Sequence, residues 1–114
     1  MIEEAIESFK IVAPMLVPEM FSINNIKDVE IREDDALLSY SIPKPLDFEE
    51  VLNALEDQME FILLYYHQAV NGIVFGQSCC AYSNPKYGHM IKINACTNAN
   101  GMCDSIDVTL YDSL

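Results

Sequence analysis

The sequence predicts an α+β domain: an N-terminal helix, then a five-stranded antiparallel sheet packed on one long helix in the order ββαβββ. Three observations lead there. Apolar residues recur every three or four positions over 48–70, the period of a helix. Residues 27–43 and 73–111 break into short alternating or apolar stretches, the habit of strands. Clusters of Asn, Gly, Pro and Asp separate those stretches. At 114 residues the chain fits one domain, residues 1–114, large enough for a single core.

Each element has its own signal. Ile2, Ile6, Phe9 and Ala13 share one side at helical spacing, with Glu3, Glu4 and Glu7 elsewhere, so an amphipathic helix opens the chain and should end or reset at Pro14. Residues 15–21 could add a short helical turn, kinked at Pro18, before a loop at 22–25. Val29 and Ile31 then alternate with Asp28, Glu30 and Arg32, the pattern of a half-buried strand. After a turn at Glu33-Asp34-Asp35, Leu38, Tyr40 and Ile42 complete a hairpin that ends at Pro43.

The best-specified element is the long helix. Asp47 can cap it with Glu50 at its third position, and Leu46 and Val51 occupy the two staple positions. Phe48, Leu52, Leu55, Met59, Ile62, Tyr66 and Ala69 carry the helical period onward, and Asn71-Gly72 supplies a stop, giving a helix over 48–70. Residues 61–66 are apolar around the whole circumference, so more than one face there needs cover, from the core or from a homodimer contact through this helix. Strands at 73–82, 90–96 and 106–111 finish the domain as a meander.

Charge limits the partners. Eighteen Asp and Glu against six Lys and Arg give −12, which repels phosphate backbones and anionic bilayers, so neither nucleic acid nor membrane is expected as a partner. No apolar run reaches the about 18 to 20 residues of a membrane span, and the acidic opening is unlike a secretory signal, so a cytoplasmic location is expected.

Chemistry-bearing residues form no motif. Cys79, Cys80, Cys96 and Cys103 with His89 suggest a metal site, but neighbouring strand residues point to opposite faces and cannot readily share a tetrahedral ion; small apolar core cysteines in a reducing compartment are the favoured reading, without a metal. Cys103, beside Asp104 in a turn, is the thiol expected to be most accessible to oxidants. His67 and His89 lie outside any triad pattern, and the acids at 33–35 and at Glu56, Asp57 and Glu60 read as solvated faces. With no phosphate-cradling glycine loop, His-Glu-x-x-His or Gly-x-Ser-x-Gly, neither catalytic residues nor a cofactor are assigned, and the chain is read as not an enzyme.

Short pieces of sequence carry a resemblance. Ala13-Pro14, residues 18–21, Asp28-Val29-Glu30-Ile31, residues 40–43, Leu46-Asp47 and Gly72-Ile73-Val74-Phe75 resemble, over roughly residues 9–97, the small PAS-like sensory domains associated with methyl-accepting chemotaxis proteins. The resemblance implies a small-molecule ligand held between sheet and long helix, with Tyr40, Tyr66, Phe75 and Tyr82 as the ligand-binding candidates, and signal transduction through association with another protein. The alternative, from charge and the over-apolar helix, is an acidic protein-interaction module like a secretion chaperone or an immunity-type inhibitor, with no small-molecule ligand.

Overall fold

The computed structural model describes residues 2–59, 62–70, 73–84, 89–98 and 100–111, with side chains described for 2–59, 90–98 and 100–111. Helix α1 (Ile2–Leu16) buries Ala5, Ile6, Phe9 and Ala13, the side the spacing predicts. Pro14 lies inside its last turn rather than ending it, at the cost of the bond its missing N–H would make; Val17 N–H still reaches the Ala13 carbonyl at 2.9 Å. Helix α2 (Pro18–Phe21) begins on Pro18, whose missing N–H costs nothing in a first turn, and it buries Met20 and Phe21. A single 3-10 turn (Ile23–Asn25) follows, tied back by Asn25 Nδ2, which donates to the Glu19 carbonyl at 3.4 Å.

Strands β1 (Ile26–Ile31) and β2 (Asp35–Asp47) form the predicted hairpin. At its turn, Arg32 N–H donates to the Asp35 carbonyl at 2.9 Å, and Arg32 Nε meets Asp35 Oδ1 at 2.9 Å. Val29 and Ile31 were expected to be half-buried but are exposed, since β1 is a sheet edge. Strand β2 does not stop at Pro43; it runs to Asp47 through an irregular stretch between Ser41 and Leu46, where Pro43 and Pro45 cannot donate to a ladder.

Helix α3 (Phe48–Met59) starts as the sequence predicts: Glu50 N–H donates to Asp47 Oδ2 at 3.2 Å. Its end corrects the prediction. The single helix over 48–70 is instead α3 followed by strand β3 (Ile62–Val70), so the sheet has six strands rather than five, and four strands follow the helix rather than three. The long helix proposed as a homodimer contact is therefore absent. A run apolar at every position, rich in Ile, Tyr and Leu, suits an extended strand as well as a helix, and pairing with β4 decides between them.

Strands β4 (Ile73–Asn84), β5 (His89–Thr97) and β6 (Met102–Tyr111) complete an antiparallel sheet ordered β1-β2-β6-β5-β4-β3. The last strand is thus inserted beside β2, and α3 carries the chain from the second position of the sheet to its far edge. Cross-strand rows make the core: Ala36–Leu110–Ile91, Leu38–Val108–Ile93 and Tyr40–Ile106–Ala95, all buried. Val51, Leu52, Leu55 and Met59 of α3 are buried as well, and α1 and α3 both pack against β2 and β6. At about 25 cal/mol per Å² of apolar surface, each such Leu or Ile contributes roughly 1.5–3 kcal/mol.

Candidate functional site

Of the four ligand-binding candidates, Tyr40 is the one whose side chain is described; those of Tyr66, Phe75 and Tyr82 lie outside the described residues. Tyr40 sits at the centre of an aromatic cluster, edge-on to Phe9 at 6.3 Å and to Phe21 at 5.3 Å between ring centroids, with Phe9 and Phe21 themselves 5.3 Å apart. Such T-shaped contacts hold the ring by its quadrupole as well as its area. Its hydroxyl is buried and has no hydrogen-bond partner among the described residues. Burial also pushes the phenol pKa well above its ordinary value. Backbone pairing aligns Tyr82 with Ile91, Tyr66 with Gln77 and Phe75 with Gln68.

The cysteines are placed differently from expectation. Strand β6 starts at Met102, so Cys103 is a strand residue, paired with Leu46 and Thr97, rather than a member of an exposed turn. It is buried, its Sγ donates to the Ser105 carbonyl at 3.5 Å, and desolvation pushes the thiol up to about 12. A proton held that tightly makes Cys103 a poor nucleophile. Cys96 is half-buried, while the side chains of Cys79, Cys80, His67 and His89 lie outside the described residues. Among the described residues, no group of three or more His, Cys, Asp or Glu is gathered to hold a metal. Glu33, Asp34, Glu56 and Asp57 are exposed, as a solvated face requires, and Asp35 is taken by Arg32.

Two surface features concern partners. Helix α2 contributes to the walls of three hollows. On one side, a groove of about 240 Å³ has Val17, Met20, Leu46 and Val51 in its walls, with the exposed carboxylates of Glu19 and Glu50 at its margin. It continues past Glu19 and Leu46 into a second hollow of about 300 Å³ bounded by Asn25, Ile42, Pro43 and Lys44. The Asp47 cap and the Leu46 and Val51 staple positions lie where α3 leaves β2, beside this groove, with Leu46 and Val51 in its wall. On the other side of α2, Ile11, Pro14, Pro18 and Ile23 line a hollow of about 470 Å³ beside Lys10. Ile11, Ile23 and nearby Met15 are 63%, 59% and 77% exposed. Large apolar side chains left in water in a group of this kind mark contact surfaces more often than chance.

Sequence reasoning missed all three hollows. Met20, Val51 and Leu46 could be recognised only as apolar, and nothing in their spacing indicates that segments distant in sequence converge on them. No helix among the described residues is long and apolar enough to cross a membrane. Comparison with protein-family models, with curated proteins and with solved structures gives no match.

Proposed function

We propose that this chain is an acidic interaction module that binds a basic protein partner and carries out no chemistry of its own. The observation that supports this reading is the groove between α2, β2 and α3, where apolar walls run between Glu19 and Glu50 on a chain of charge −12. An apolar side chain of a partner gains burial there, while Lys or Arg beside it meets carboxylates, and the overall field speeds encounter with a basic surface. The sensory reading required a ligand between the sheet and a helix over 48–70; α3 ends at Met59 with its apolar side already buried, which leaves that reading without the geometry that motivated it. One observation still favours a small ligand, the Tyr40 hydroxyl that has no partner among the described residues, and stabilisation of the chain by a hydrogen-bonding metabolite in a thermal-shift screen is its test.

The test of the interaction reading is affinity purification from the native cell, followed by reconstitution of the recovered partner with the charge-reversed variant Glu19→Lys/Glu50→Lys. The expected result is one stoichiometric basic protein whose binding weakens at least tenfold in the variant and falls with added salt. A neutral or acidic partner, or binding indifferent to both changes, refutes the reading.

A further inference from the structure

The two edges of the sheet are built in opposite ways. Strand β1 has Lys27, Asp28 and Glu30 among its six residues, and its pairing with β2 slips between Ile26 and Asp28. Charges and a bulge are the means by which sheet edges are kept from pairing with other strands. Strand β3, at the other edge, has nine residues, Ile-Leu-Leu-Tyr-Tyr-His-Gln-Ala-Val, with no acid, no Lys, no Arg and no proline, and its register with β4 is unbroken from Ile62 to Val70. The neutrality extends further: from Phe61 to Pro85 the sequence contains no Asp, Glu, Lys or Arg, its longest charge-free run.

Pairing with β4 satisfies one side of β3, and every second residue of an edge strand leaves its N–H and C=O unused. The sequence of β3 is also apolar at both alternations, Ile62, Leu64 and Tyr66 at one and Leu63, Tyr65 and Ala69 at the other, whereas a sheet with one wet face alternates apolar with polar.

We propose that β3 is the seam along which a second copy of this chain joins, antiparallel and edge to edge, so that two six-stranded sheets become one. Charge selects the occupant. Two chains of −12 repel wherever their acidic surfaces face, and the long uncharged run is the place where they can approach at least cost. A basic foreign partner, by contrast, gains nothing from an edge without carboxylates. Antiparallel pairing of a strand with its own copy is two-fold symmetric, the commonest form of self-association. Nine residues at about 3.4 Å each make a seam about 30 Å long, with roughly nine interchain hydrogen bonds. This inference is independent of the groove, which lies on the α2–β2–α3 side of the molecule.

Sedimentation equilibrium tests it with three proteins: the wild-type chain, Leu64→Lys on β3, and Ile31→Lys on the guarded edge. The expected masses at tens of micromolar are twice the 12.9 kDa of one chain for the wild type and for Ile31→Lys, and the single-chain mass for Leu64→Lys with an unchanged far-ultraviolet spectrum. A monomeric wild type, a Leu64→Lys variant that stays dimeric, or dissociation by Ile31→Lys overturns the proposal. Should Leu64→Lys fail to fold, hydrogen exchange on the wild type decides. Alternate amides over 62–70 slow as concentration rises if the seam forms, and exchange independent of concentration overturns it.

Discussion

Replacing Tyr40 by Phe removes a single oxygen from the middle of the core, and the structure fixes the sign of the result. The ring's edge-on contacts with Phe9 and Phe21 survive the change, since they belong to the carbons. The hydroxyl gives up its bonds to water on folding and finds no partner among the described residues, a deficit of about 1–3 kcal/mol. Tyr40→Phe is therefore expected to stabilise the fold by at least about 1 kcal/mol, or about 4 °C in melting temperature for a domain of this size. Urea titration followed by circular dichroism at neutral pH measures it.

A second arm uses pH. In the unfolded chain a tyrosine ionises near its ordinary value of 10.0, whereas the folded site holds its proton above that. The stability contributed by this difference is intact below 10.0 and declines as pH rises toward the folded value, by about 1.4 kcal/mol per unit. The variant has no such proton, so its advantage over the wild type widens in alkali. A variant less stable by about 1 kcal/mol or more at neutral pH refutes the reasoning, because only a hydroxyl with a partner has that much to lose.

Two further outcomes follow from the same geometry. Asp47→Ala removes the acceptor of the Glu50 N–H and is expected to cost about 1 kcal/mol, while Asp47→Asn, which caps as well, costs a few tenths; equal losses in the two variants contradict the cap. Cys103 holds its proton up to about 12 against an ordinary 9.0, so wild-type stability is whole below 9.0 and falls between those values as the unfolded thiol ionises. Cys103→Ala lowers stability at neutral pH but declines less steeply in alkali, a comparison made by urea midpoints on both sides of 9.0; parallel slopes contradict the burial argument.

What the sequence disclosed depended on whether a local interaction or a distant one decided the structure. The start of α3 was legible because Asp47 and Glu50 are three residues apart and bond to each other. Its end was not. Ile62, Tyr66 and Ala69 keep helical spacing beyond Met59, so the local pattern supports a helix, and the competing claim comes from β4, which lies later in the chain. Asn71-Gly72 misled in the same way: the dipeptide stops helices, but Val70 pairs with Ile73, and Asn-Gly between paired strand ends is equally a hairpin signal. The burial of Cys103 was hidden for a related reason, since a short polar segment before it suggests a loop, while the ladders with Leu46 and Thr97 make it core. For the candidate groove, the residue types were visible and the convergence of α2, β2 and α3 was not.

Inserting the final strand between β2 and β5 has a consequence for how the protein is made. Among the described residues the strand ladders of the two halves are joined through β6, so during synthesis the hairpin β1–β2 and the strands β3, β4 and β5 cannot be hydrogen-bonded into one sheet until residues 102–111 leave the ribosome. Closure of so long a loop makes assembly slow, and greasy surfaces stay uncovered throughout that interval. A fragment ending before residue 102 lacks the strand that pairs with both β2 and β5, and is left with packing such as that of α3 on those two strands to hold the halves together.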